Sequence, residues 1–245
     1  MKKNVFNTYF DKRLKSIKQH LISYKQDQKP EDLHHIRVEI KKIKAILSFA
    51  KDLYEEAYDL SELKPLFKKA GAIRELQINR QLLVELPPFP KQYLKQLKQE
   101  ETDLTQQFIR NNTRYLKSAE RFREGLSLPE NLPAKKHLKA HFKKELKKAH
   151  KKWQNKNRKD MHRYRRKLKN MLYLYNALPE KVQHSSELDK TGINQQQQKL
   201  GKWHDLYSAI SFLSRQAFST KITDYIARLK TKESKRFKSL LKDHS

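Results

Sequence analysis

Glycine and proline are scarce in this 245-residue chain, and their scarcity restricts its fold more than any other feature. Only four glycines and eight prolines occur, so long stretches rich in Lys, Leu, Glu and Gln contain no helix-breaking residue. No sustained alternation of β-branched residues indicates a strand. The sequence therefore predicts an all-α protein, with helices over these ranges: 4–26, 31–57, 62–86, 91–124, 134–155, 158–178, 190–217 and 219–243.

The chain is strongly basic, with 56 Lys and Arg against 27 Asp and Glu, for a formal net charge of +29. An excess of this size creates a positive field that attracts polyanions. Nucleic acid, an anionic membrane surface and inorganic polyphosphate all suit that field. High charge with 36% apolar residues is also typical of disorder. The 11 Phe, 11 Tyr and 2 Trp, together with apolar residues at helical spacing, favour a folded chain.

The chain contains no cysteine, which excludes disulfides, thiolate zinc sites and a cysteine nucleophile. This composition suits a cytoplasmic protein. The first residues include two lysines but no apolar stretch long enough for a signal peptide. No segment approaches the ~20 apolar residues that span a bilayer, so we expect no membrane partner.

An internal repeat is indicated when His34 is aligned with His162. Apolar residues follow both histidines at offsets of 2, 6, 9, 13 and 16, which places them on one side of a helix. In the first copy they are Ile36, Ile40, Ile43, Leu47 and Ala50, and in the second Tyr164, Leu168, Met171, Tyr175 and Leu178. Each helix is therefore expected to bury this stripe against its neighbours.

A second match follows in the same order, because Gly71 and Gly201 each precede an acidic residue by four positions and a leucine by five. We interpret the chain as a duplication of two four-helix halves, 1–124 and 131–245, with the boundary in the Pro- and Gly-containing stretch 125–133. A glycine within a helix costs about 1 kcal/mol relative to Ala. We expect each glycine to permit close helix approach or to lie beside a ligand.

Cations recur on the same two helices, on a side away from the apolar stripe. In the first copy they are His34, Arg37, Lys41 and Lys44, with Lys42 adjacent; in the second they are His162, Arg165 and Lys169, with Arg166 adjacent. Cations three and four residues apart lie about 5–6 Å from one another along a helix, a spacing that suits a linear chain of phosphates. Leu172 occupies the position equivalent to Lys44, so the second row is shorter.

These motifs resemble those of the CHAD family, the conserved histidine α-helical domain. The resemblance covers essentially the whole chain and rests on four motifs in order. They are His34-His35-Ile36-Arg37-Val38 with the following lysines, Ala70-Gly71-Ala72-Ile73-Arg74-Glu75, His162-Arg163-Tyr164-Arg165 with its following cations, and Leu200-Gly201-Lys202-Trp203-His204-Asp205. Glu75 stands where the family tends to have Asp.

The resemblance implies a pseudo-symmetric pair of four-helix bundles with a basic groove between them, which binds inorganic polyphosphate and associates with polyphosphate granules. It adds Arg74 to the residues expected to line the groove. Glu75 and Asp205 are interpreted as structural carboxylates that orient neighbouring cations. Family members often sit beside a triphosphate-tunnel domain, and no such domain fits in this chain, so the resemblance implies binding without catalysis.

Three alternatives remain at this point. A nucleic-acid-binding protein explains the charge equally well, although the chain has no RNP-like motif, zinc finger or evident helix-turn-helix. A metal-dependent polyphosphate hydrolase is suggested by His34, His35, His162 and the His204-Asp205 pair. Cations crowd each of these histidines and would oppose a divalent ion, so we expect no metal or other cofactor. Membrane attachment needs an exposed apolar helix face, but each apolar helix face in this sequence is expected to pack in the core.

Overall fold

The computed structural model describes residues 5–84, 90–127, 134–215 and 220–242. The all-α prediction is confirmed, because these ranges contain ten α-helices, two short 3-10 turns and no strand. The helices are α1 (Val5–Asp27), α2 (Pro30–Tyr54), α3 (Lys64–Val84), α4 (Lys91–Arg110), α5 (Asn112–Glu124), α6 (Lys135–Gln154), α7 (Arg158–Ala177), α8 (Glu180–Gln183), α9 (Lys190–Ser214) and α10 (Thr220–Lys242).

The predicted helix over 91–124 is wrong in one respect, because it divides into α4 and α5 at Asn111. Asn111 Nδ2 donates to the Gln107 carbonyl at 2.8 Å, and Asn112 Nδ2 donates to the Leu21 carbonyl at 2.7 Å. Short amide side chains that bond to the backbone in this way compete with a continuing helix. The predicted helix positions 4, 85–86, 216–217, 219 and 243, and most of the predicted boundary at 128–133, lie outside the described residues.

Both predicted apolar stripes lie in the interior. Nine of their ten residues are buried, from Ile36 on α2 to Leu178 after α7, and Tyr175 is partly buried against the same core. The main core takes side chains from both halves of the chain, and a smaller one joins α3 and α4 to α9 and α10. The two halves therefore share hydrophobic cores.

The helix packing falls into corresponding pairs. The pairs α1–α2, α2–α3 and α3–α4 in the first half match α6–α7, α7–α9 and α9–α10 in the second. The halves meet where α2 packs against α7 and where α3 contacts α9. This pattern fits our interpretation of a duplication, which stays a prediction together with its boundaries.

Each central helix has a buried aspartate in its first turn, two residues before its histidine. In α7, Asn157 Oδ1 accepts a hydrogen bond from the Asp160 amide at 2.9 Å, and Asn155 donates to the Asp160 carboxylate at 2.6 Å. In α2, the Asp32 carboxylate accepts from Ser23 Oγ at 2.8 Å and lies 2.7 Å from His20 Nδ1. The Asn157 cap fixes the start of α7, and the contacts of Asp32 join the first turn of α2 to α1.

None of the helices in the described ranges combines the length and apolar character needed to cross a bilayer.

Candidate polyanion-binding cluster

The cations of α2 and α7 meet at the contact between the two halves. Burial lowers the pKa of Lys41 on α2 to about 8, and the neighbouring charges of Arg37, Lys169, Arg165 and Arg166 lower it further in the same direction. Three of these four neighbours belong to α7. The two predicted rows therefore face one shared region, which we call the basic cluster and define as Arg37, Lys41, Arg74, Arg165 and Lys169 with His34, His162 and His204.

The histidines lie in the same positive environment. Burial lowers the pKa of His34, and the charges of Arg74, His35, Lys41 and Lys169 add to this effect, the last of them from the other half. Burial also lowers the pKa of His204 to about 3, assisted by Arg165, His162, Lys169 and Lys41. Both imidazoles are therefore neutral at physiological pH, and each can offer one N–H donor to an anion.

Arg37 is held in place by α3. Its Nη1 donates to the Phe67 carbonyl at 2.6 Å, and its guanidinium lies 4.2 Å from the centre of the Phe67 ring. A Cβ on Gly71 would lie 2.1 Å from the same nitrogen. Gly71 therefore leaves space for the Arg37 guanidinium. We had expected this glycine to allow two helix backbones to approach or to lie beside a ligand.

In the second half, the Arg165 side chain lies over Gly201 as the Arg37 side chain lies over Gly71, but it is held less firmly. A Cβ on Gly201 would meet Arg165 Nη2 at 3.5 Å, an ordinary contact distance. Arg165 makes no hydrogen bond to the residues that the structure describes. Burial lowers its pKa, and the nearby Asp205 carboxylate partly offsets this.

Several buried donors of the basic cluster have no partner within the described ranges: Arg74 Nε, Arg165 Nε and His162 Nδ1. Lys41 and Lys169 likewise form no ion pair with any carboxylate in the described part of the chain. Leaving a buried polar group unsatisfied costs about 1–3 kcal/mol, and more for a charged one. An acceptor-rich anion would satisfy these groups together.

The remaining predicted site residues lie at or beyond the edge of the cluster. Arg166 is exposed on α7 but close enough to act on Lys41 and His162. Lys42 Nζ is 2.7 Å from the buried Glu39 carboxylate, which also pairs with Arg13 at 3.0 Å.

Lys44 is exposed and contributes to none of the shifted pKa values. Leu172, at the position equivalent to Lys44, is buried in the core.

His204 is the functional candidate that we left out of the predicted basic rows. Its ring stacks on His162 at 4.5 Å between centroids. The repeat contained the signal, because His204 follows Gly201 by three residues as Arg74 follows Gly71. Both positions therefore supply a nitrogen donor beside the leading histidine.

The two carboxylates differ in what they contact. Glu75 Oε1 accepts from Arg215 Nη2 at 2.7 Å and so joins α3 to α9. Asp205 lies near Arg165 and Lys169. A search of the described residues finds no group of three or more His, Cys, Asp or Glu positioned to hold a metal ion.

Two comparisons with known proteins bear on this arrangement. A search of curated protein sequences found no match. The family model of the CHAD domain matches residues 8–214, which include all four motifs and every member of the basic cluster. The chain therefore belongs to the CHAD family.

Proposed function

We propose that this protein binds inorganic polyphosphate along a basic groove between α2 and α7, and that it does so without cleaving the polymer. The observation that carries the proposal is the convergence of Lys41 from one half and Arg165 and Lys169 from the other. These cations are half-buried, and neither lysine has a carboxylate partner among the described residues. Their mutual repulsion is relieved when a polyanion lies between them.

The geometry favours a linear phosphate polymer because donors are arranged along both helices. Arg37 and Arg165 can each bind phosphate oxygens through two nitrogens, whereas Lys41 and Lys169 act as point charges. The CHAD family is associated with polyphosphate binding, which supports this substrate class. Association with polyphosphate granules follows from the same proposal.

Single-stranded nucleic acid is a weaker candidate because its recognition relies on aromatic platforms for the bases. Every aromatic side chain described by the structure is buried or half-buried, and the Phe67 ring is covered by Arg37. The observation in favour of nucleic acid is the outer face of α6, where Lys136, Lys143 and Lys147 are exposed. Such a surface binds any polyanion with strong salt dependence.

Binding without catalysis is part of the proposal. Hydrolysis of a phosphoanhydride normally uses divalent cations to neutralise the transferred group. The histidines of the cluster are surrounded by Arg and Lys, which would repel such ions. Incubation with polyphosphate and Mg²⁺ or Mn²⁺ should release no phosphate above background; release that depends on the protein would contradict this part.

The decisive experiment is a titration with long-chain polyphosphate and with single-stranded RNA, matched in phosphate concentration, at several salt concentrations. We expect polyphosphate to bind more tightly at each salt concentration, with affinity that rises with chain length and falls with salt. Charge reversal of Arg37, Lys41, Arg165 and Lys169 to Glu should abolish binding while helicity is retained. Equal displacement by RNA, or unchanged affinity in the variant, would overturn the proposal.

A further inference from the structure

A cavity of about 590 Å³ lies apart from the basic cluster, between the start of α3 and α5. Its lining includes five cations, three from α3 and two from α5, against one carboxylate from the 3-10 turn Ser61–Leu63. The cations are Lys64, Lys68, Lys69, Arg114 and Arg121, and the carboxylate is Glu62. The cavity volume is in the range of small-molecule sites, which favours a compact occupant.

Most of this positive charge is uncompensated. Arg121 donates to Glu62 at 2.8 Å and to Ser118 Oγ at 3.0 Å, so one cation is paired. Lys68, Lys69 and Arg114 have no ion pair with any of the described residues. Three cations from two helices therefore face a common concave space without a carboxylate partner among the described residues.

One residue of the cavity lining supplies a second feature that points to a ligand. Tyr115 is only 5% exposed, yet its side chain lines the cavity and forms no hydrogen bond to a described residue. Burial raises the pKa of its hydroxyl, so the group is a neutral donor. A phosphate oxygen held by the surrounding cations would supply the acceptor.

We propose that this cavity is a second anion site, which binds a compact phosphate compound carrying two or more negative charges. None of the residues that line this cavity belongs to the basic cluster between α2 and α7. Lysine and arginine supply the charge, while Tyr115 adds a hydrogen bond with a fixed direction. Occupancy would tie α3 to α5 through the ligand.

The test uses inorganic triphosphate as the probe in a variant whose groove is disabled by Arg165→Glu and Lys169→Glu. Calorimetry should show one triphosphate bound per chain in this background. Addition of Lys68→Glu and Arg114→Glu should weaken binding by at least about tenfold. The matched control, Lys136→Glu with Lys143→Glu on α6, removes the same charge and should change affinity by less than about threefold.

Two further measurements separate the cavity from a general effect of charge. Tyr115→Phe should preserve the fold and weaken triphosphate binding by about fivefold, as expected for loss of one hydrogen bond. Hydrogen exchange should slow in 61–69 and 111–121 when triphosphate is added. Equal effects of the cavity and control substitutions, or no slowing in these two segments, would overturn the proposal. Both readouts are taken in the variant whose groove is disabled, so either proposal can fail alone.

Discussion

The two halves of the basic cluster hold equivalent arginines in different ways. Arg37 stacks on Phe67 and donates to its carbonyl at 2.6 Å, which fixes the guanidinium in one orientation. Arg165 lies over Gly201 with no hydrogen bond to the described residues. The residue four positions before Gly201 is Gln197, so the second half has no aromatic ring at the position of Phe67.

This difference separates two contributions to anion binding. The first half provides an oriented donor at a small entropic cost, because Arg37 loses little further freedom when a phosphate binds. The second half provides more unused donors, because Arg165 forms no hydrogen bond to any residue that the structure describes. His204 is at the position equivalent to Arg74 but is a neutral donor. The motif around Gly71 therefore carries more positive charge than the motif around Gly201.

The largest expected effect comes from reversing charges in one half at a time. Arg37→Glu with Lys41→Glu, and Arg165→Glu with Lys169→Glu, should each lower polyphosphate affinity on the order of a hundredfold at low salt. We expect the greater loss for the second pair, because Arg165 has no hydrogen-bond partner among the described residues. Lys136→Glu with Lys143→Glu is the control of equal charge. If charge reversal in one half lowers polyphosphate affinity no more than the control does, that half does not contribute to the site.

A smaller effect should distinguish the two glycines. Gly71→Ala should displace the Arg37 guanidinium and weaken polyphosphate binding by about tenfold, since its Cβ needs the space of Nη1. Gly201→Ala should leave binding within about twofold and stabilise the protein by up to about 1 kcal/mol through helix propensity. Denaturant unfolding and binding titration of both variants check this contrast. Equal binding losses would show that the two arginines are held alike.

Replacement of Lys41 by an apolar residue should weaken polyphosphate binding and stabilise the folded protein. Lys41→Met removes a half-buried charge that repels its neighbours, so the free energy of unfolding at pH 7 should rise by about 1–3 kcal/mol. Affinity for polyphosphate should fall by about tenfold. The folded pKa of Lys41, about 8, is below its ordinary value of 10.5, so the wild type regains stability as pH rises between these values. The difference in the free energy of unfolding between Lys41→Met and the wild type should therefore decrease as pH rises from about 8 to 10.5.

The exposed Lys44 on the same helix provides the control for that experiment. Lys44→Met should change the free energy of unfolding by less than about 0.5 kcal/mol, because the side chain is exposed. If Lys41→Met destabilises the protein instead, Lys41 is not held against like charges.

The smallest expected effect is the pH dependence of binding. Affinity should decrease by a few-fold as pH rises through about 8, where Lys41 loses its proton. Lys41→Arg should remove this alkaline decrease, since arginine stays charged. The lowered pKa values of His34 and His162 predict a modest gain of affinity below neutral pH. Calorimetry between pH 5.5 and 9.5 in several buffers measures both changes and the protons taken up; a flat profile would contradict this assignment.

The sequence predicted the helices and the buried stripes because both depend on local spacing. Lys42 shows the limit of that approach, because its side chain pairs with the buried Glu39 carboxylate, which also pairs with Arg13 of α1. The break at Asn111 depends on long-range contacts as well, since Asn112 bonds to the Leu21 carbonyl. Asp32 and Asp160 each precede the leading histidine of their half by two positions, but this spacing does not identify the side chains that contact them.

Titration of the Lys41 amine by NMR tests the central claim most directly, because this group senses both halves at once. We predict a pKa of about 8 in the free protein, an increase when Lys169 is replaced by Met, and a larger increase when polyphosphate binds. An ordinary lysine pKa that responds to neither change would show that the two rows of cations do not share one site.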